Sequence, residues 1–206
     1  MGLKLFVTLV AALAASACAS APQPSHAAIA DACLLLKENR PWHDAMRETA
    51  RKWGAPMGFQ LAVMKQESSF DSRALAPRGD RTWFGLFEGE RLSSAAGYSQ
   101  ALDTTWDMYK RETGRGMANR QDFRDSSDFI GWYYNTTGKR TGLGQYDYKA
   151  HYLAYHEGAN GYLKGAWKGK SWLVDTANRV ASQAARYENQ ISSCEALKPQ
   201  KFLGIF

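Results

Sequence analysis

Pro56-Met57-Gly58-Phe59-Gln60-Leu61-Ala62-Val63-Met64-Lys65-Gln66-Glu67 is the stretch on which the fold turns. A helix can begin at the proline. Met57, Phe59, Leu61, Ala62, Val63 and Met64 then surround it with apolar groups on nearly every side. A helix apolar all round belongs in the centre of a domain. Its polar residues, Lys65, Gln66 and Glu67, crowd the C-terminal end. A carboxylate in that position feels the negative end of the helix dipole and an apolar surround, and both raise its pKa. That is what a general acid working near neutral pH requires. A glutamate at a helix end is also, more often, a merely solvated residue.

The rest of the chain reads as helices around this one. Apolar residues at three- and four-residue spacing predict helices over 28–39 and 42–53, broken by Pro41 and closed by Gly54. The stretch 71–97, rich in Gly, Arg and Ser, reads as loop with an aromatic knot at Trp83, Phe84 and Phe87. A helix over 100–113 is stopped by Gly114, a polar turn occupies 119–125, and Ser126 caps a helix to about Asn135. A Gly/Thr loop is expected over 136–144, a helix over 146–157, a short one around Tyr162, and a last one from Ser171 to about Ser193. There is no internal repeat. The 206 residues suit one all-α domain with loops carrying the chemistry.

The N-terminus is an address. Residues 1–17 carry a short positive start, an apolar run from Leu5 to Leu13 and the small residues Ala15-Ser16-Ala17, the pattern of a secretory signal peptide. Cleavage after Ala17 leaves Cys18 first, as in bacterial lipoproteins, although Ala15 stands where a lipobox usually has Leu. Lipidation of Cys18 and plain secretion are both open. Residues 18–27 form a Pro/Ser/Ala tether, 28–198 the folded domain and 199–206 a tail. In an oxidising compartment Cys33 and Cys194 are expected to pair. The formal charge of +6 is spread among interspersed acids, so it reads as a mildly basic face rather than a nucleic-acid site.

Glu67-Ser68-Ser69-Phe70 resembles the E-S-x-F/W motif of the soluble lytic transglycosylase (SLT) domain, the lysozyme-like family shared with goose-type lysozyme. Gly97-Tyr98-Ser99-Gln100 with Thr104-Thr105-Trp106 is similar to that family's G-L-M-Q segment. Residues 125–134 are similar to its next helix, and Ala154-Tyr155-His156-Glu157-Gly158 to its A-Y-N-x-G motif. The resemblance spans roughly 42–187, in the family's order. It implies a lysozyme-like fold, a peptidoglycan glycan strand as substrate, and Glu67 as catalytic acid. It also implies that Gln100 and Tyr98 bind the sugar and that Tyr155 sets its hydroxyl near Glu67. Ordinary aromatic packing is the alternative for both tyrosines. Ser99 replaces Met, His156 replaces Asn, Ala76 replaces a frequent Ser, and 78–96 is a long insertion, either a wall over the cleft or a surface loop.

The resemblance implies cleavage of the MurNAc-GlcNAc β-1,4 bond with formation of 1,6-anhydro-MurNAc ends. Such a transglycosylase needs one carboxylate, whereas an inverting hydrolase needs a second to activate water. Asp80, Glu88, Glu90 and Glu157 are the acids from which a lysozyme-type muramidase would draw it. A peptidoglycan-binding lipoprotein without turnover is the alternative from another class. His151 and His156 are five apart and do not share a helical face as an H-E-x-x-H pair does, so neither metal nor cofactor is expected. The location implied is the periplasm, with a lipid anchor in the outer membrane. Service to an envelope-spanning machine and general wall turnover are not separable at this level.

Overall fold

The computed structural model describes residues 23–79 and 89–198. Within them the chain is all-helical: α1 His26–Ala30, α2 Ala32–Glu38, α3 Arg40–Trp53, α4 Met57–Ser68, α5 Asp103–Thr113, α6 Phe123–Thr141, α7 Tyr148–Leu163 and α8 Ser171–Ser193, then a 3-10 turn Glu195–Leu197. No strand forms among the described residues. The loop between α4 and α5 makes only isolated bridges, Leu75 with Ala96, Arg78 with Arg91 and Ala96 with Ala101. No described helix is long and apolar enough to cross a membrane.

Helix α4 is the buried centre, with Gly58 through Met64 all inaccessible. It packs chiefly against α8, and Gly58 is what lets the two approach. A Cβ there would lie 2.4 Å from the Ala184 carbonyl oxygen. The freed amide of Gly58 donates to the Glu188 carboxylate at 2.6 Å, so an α8 acid caps the positive end of α4. Gln60, the one polar side chain within that buried stretch, is fully satisfied. It donates to the carbonyls of Ala55 and Met46 and accepts from Ser127, which also meets Thr49. Asp128 of α6 gathers Lys52, Trp53 and Tyr109, locking α3, α5 and α6 together.

Several boundaries differ from the sequence expectation. The first helical segment is two: Asp31 interrupts it and caps α2 through Cys33 and Leu34. Helix α1 begins inside the stretch read as tether, because Ser25 accepts from the Ala28 amide. Helix α5 starts three residues late, since residues 97–100 form a turn and Ala101 bridges back to Ala96. The largest difference is α6, expected over 126–135. Asp122 caps it four residues earlier, and it runs through the Gly/Thr segment to Thr141. Thr137 and Thr141 return their hydroxyls to carbonyls one turn back, and Gly138 allows the His151 ring to pack at 3.0 Å from where a Cβ would be. Packing against α7 overrides the loop-like composition.

Helix α7 breaks at Gly158 (φ 71°, ψ 162°), which separates the 146–157 helix from the turn around Tyr162, in line with the sequence pattern. Cys33 and Cys194 are joined by a disulfide with Cα atoms 5.5 Å apart.

Candidate active site

Two turns of left-handed backbone frame the end of α4. Ser69 and Phe70 follow the helix at φ 50° and 63°, and Gln100 sits at φ 48°. These are the non-glycine positive φ values among the described residues, and of the three Gln100 lines the cleft into which Glu67 projects. Left-handed backbone at non-glycine residues costs roughly 1–2 kcal/mol each and persists only where surroundings enforce it. The enforcement is an aromatic nest. Trp42 stacks on Phe123 at 4.1 Å and on Phe70 at 5.9 Å, and meets Tyr98 edge-on at 5.8 Å. Ser68 then donates to the Tyr98 carbonyl at 2.9 Å. Gly97 has no alternative: a Cβ there would fall 2.1 Å from the Arg120 carbonyl oxygen.

The cleft has a volume of about 520 Å³ and is lined by Glu67, Gln100, Thr105, Tyr133, Tyr155 and Glu157 among others. Glu67, one residue from the end of α4, is half-buried, and the Tyr152 hydroxyl donates to its Oε1 at 3.0 Å. Burial raises its pKa from 4.5 to about 7, with the Tyr152 bond pulling the other way. Burial and the neighbouring Glu67 charge push the Tyr152 hydroxyl well above its ordinary value, so it stays a donor.

A second acid, Glu157, lines the same cleft in the opposite condition. Lys170 reaches both its oxygens, at 2.7 and 2.9 Å, and His156 meets it at 2.9 Å. The Lys170 bond chiefly holds the Glu157 carboxyl below the ordinary range, against the burial that would raise it.

The residues marked in the sequence divide into two groups. Glu67, Gln100 and Tyr155 come together in the cleft. Tyr98 does not. It is 3% exposed and packed between Trp42 and Phe123, where it anchors the turn that carries Gln100. Gln100 donates its amide to the carbonyls of Ala74 and Gly97, closing that same turn. The Tyr155 hydroxyl lies close enough for the Glu67 charge, after burial, to raise its pKa, but it donates to the Ser99 carbonyl at 2.6 Å. The hydroxyl that reaches Glu67 belongs to Tyr152. A signal for it lies in the sequence: Tyr152 precedes Tyr155 by three residues, so the two share a helical face. Trp83, Phe84 and Phe87 of the insertion lie outside the described residues, as do Asp80, Glu88 and Cys18. Glu90 is exposed and not in the cleft. No described group of three or more His, Cys, Asp or Glu could hold a metal.

An all-helical, lysozyme-like domain with a protonatable glutamate in an open cleft is the architecture of a glycan-cleaving protein. The chain belongs to the transglycosylase SLT domain family, whose model matches residues 6–194. Peptidoglycan glycan strands of the cell wall are therefore its substrate class. Comparison with curated proteins and with solved structures gave no match.

Proposed function

We propose that this domain is a lytic transglycosylase that cleaves the MurNAc-GlcNAc β-1,4 bond and leaves 1,6-anhydro-MurNAc ends. The observation that carries the reading is the contrast between the two cleft acids: Glu67 is held near pKa 7, while Glu157 is committed to Lys170. A carboxyl of that pKa is partly protonated at neutral pH and can give its proton to the glycosidic oxygen as that bond breaks. The sugar passes through an oxocarbenium-like state. Glu67, now a carboxylate steadied by the Tyr152 donor, accepts the proton of the muramoyl 6-hydroxyl as its oxygen closes on C1. One proton leaves Glu67 and one returns, and no water is consumed.

Gln100 and Tyr155 line the path of the strand, and Gly158 lets the chain turn away beside it. A lysozyme-type hydrolase has one observation in its favour, the presence of ionised Glu157 in the same cleft. Digestion of purified sacculi with mass spectrometry of the muropeptide ends decides between them. Anhydro ends are expected; reducing muramic ends alone would transfer the reading to hydrolysis with Glu157 as base. Unchanged sacculi would leave a wall-binding lipoprotein.

The proposal extends to location. Residues 1–17 act as a signal peptide, Cys18 carries a lipid anchoring the domain of residues 28–198 to the outer membrane, and the active site faces the periplasm. The Cys33–Cys194 disulfide supports an oxidising compartment. Metabolic labelling with a fatty-acid analogue, lost on Cys18→Ala, is the check.

A further inference from the structure

Behind the cleft, on the other side of the last turn of α4, runs a second groove of about 590 Å³ between α4 and α8. Lys65, Arg179 and Arg186 line it, with Ser69, Asn178 and Gln183 between them. No acid lines it among the described residues, and none of its three cations has a carboxylate partner there. Lys65 has spent one donor on the Gln183 side-chain oxygen at 3.0 Å, and Arg179 one on Thr176 at 2.8 Å. The Gln183 amide nitrogen is buried and has no acceptor at all. An unmet buried donor is rare in a folded protein, and a small turn of the half-buried Gln183 side chain would offer it to a ligand oxygen in the groove. Burial and the neighbouring Arg186 both work against the charge on Lys65, which a bound anion would relieve.

We propose that this groove binds a carboxylate-bearing peptide, and that the stem peptides of the substrate strand are its source. The three cations suit carboxylates, which guanidinium groups grip with paired, charge-assisted hydrogen bonds. The interspersed amides and hydroxyls suit a peptide backbone. The volume exceeds what a single small anion would fill. Lys65, Gln66 and Ser69 face the groove from the same helical turn that presents Glu67 to the cleft. The groove and the cleft thus open on opposite faces of one helical turn, and the stem peptides of the bound strand or of a neighbouring one are what the groove would take. Only the source of the carboxylate rests on the transglycosylase reading; the groove's chemistry stands without it.

Calorimetric titration of the full chain tests this with a synthetic stem tetrapeptide, L-Ala–D-Glu–diaminopimelate–D-Ala. Its amide-capped twin and vesicles of phosphatidylglycerol are titrated in parallel. Saturable one-to-one binding of the tetrapeptide is expected. Affinity should fall roughly tenfold or more for the capped twin and for Arg186→Glu, as for loss of a hydrogen bond to a charged group. Gln183→Glu, which keeps an oxygen for Lys65 but removes the orphan donor and adds a negative charge, should weaken binding as well. No saturable binding, or undiminished affinity in Arg186→Glu and for the capped twin, would overturn the proposal. Binding to vesicles alone would overturn it in favour of a membrane surface. Reducing muropeptide ends together with Arg186-dependent peptide binding would retire the transglycosylase reading and keep the groove.

Discussion

Glu67 and Glu157 share one cleft and have opposite characters. Glu67 projects from a helix buried on all sides, and burial lifts it to about 7. Glu157 stands where α7 breaks, close enough to Lys170 and His156 that pairing outweighs desolvation. The same functional group stays protonatable near neutral pH in one setting and is a fixed charge in the other. Role follows from neighbours: no feature of the carboxyl itself distinguishes the two.

Removing the acid breaks the contrast most completely. Glu67→Gln should lower the rate of sacculus clearance by at least about 10²–10⁴-fold, the scale of general acid–base catalysis, with the fold retained. Near wild-type clearance would mean that another group is the acid. The same variant has a stability signature. Because the folded pKa is raised from 4.5 to about 7, the folded wild type holds more protons than the unfolded chain between those values. Wild-type stability therefore falls as pH rises through that window, and the penalty is complete above it. Glu67→Gln escapes the penalty, so it should melt higher than wild type at about pH 8 and alike at about pH 4, with a gain of at most about 3 kcal/mol. Equal melting temperatures at both pH values would show that Glu67 is not perturbed.

Tyr152→Phe sharpens the contrast, because the lost bond is the influence drawing Glu67 down. The alkaline limb of the pH–rate profile should move up, while the rate falls roughly tenfold or more through loss of a donor to a charged acceptor. A profile shifted to lower pH would contradict the assigned direction. Glu157→Gln asks whether the paired acid has a chemical role. A loss within about tenfold, with product ends unchanged, is expected for a charge that only shapes the cleft; a loss of roughly 10²-fold or more marks a catalytic base. Tyr155→Phe should have the smallest effect, a few-fold. It cuts only the bond to Ser99 and leaves the packing against Tyr133 intact.

The parts of this molecule legible in the sequence are those that short-range physics controls. The apolar circumference of 57–64 makes α4 the core, and the polar residues at its end single out Glu67. The all-α class and the break at Gly158 follow from local periodicity and one glycine. The failures share a cause, which is that partners distant in sequence decide the outcome. Tyr98 looks like a sugar-stacking residue until Trp42 and Phe123 close on it from 56 and 25 positions away. Only the three-residue spacing from Tyr155 points locally to Tyr152, and its bond to Glu67 spans 85 residues. The segment after Asn135 looks like a loop because Thr and Gly disfavour helix, yet α6 continues where the His151 ring needs that glycine. The groove behind α4 is invisible in the sequence for the same reason, since Lys65 and Arg186 stand on helices far apart in the chain.

The disulfide between Cys33 and Cys194 ties residues 161 positions apart, and its usual thermodynamic weight for so long a loop is about 5 kcal/mol. Its mechanical meaning is different. Under the lipid anchor proposed at Cys18, the domain would be pulled from its N-terminus whenever the wall shifts. Gln23 donates to the Ser69 carbonyl two residues past Glu67, so tension arriving there would first break that bond and then draw α1 and α2 away from α8. The covalent bolt interrupts that peeling at Cys33. Any further load passes into Cys194 and along the 23 residues of α8, the helix that backs α4. Under that anchor the load would be shared with the C-terminal end of α8 before it reached the turn that holds Glu67.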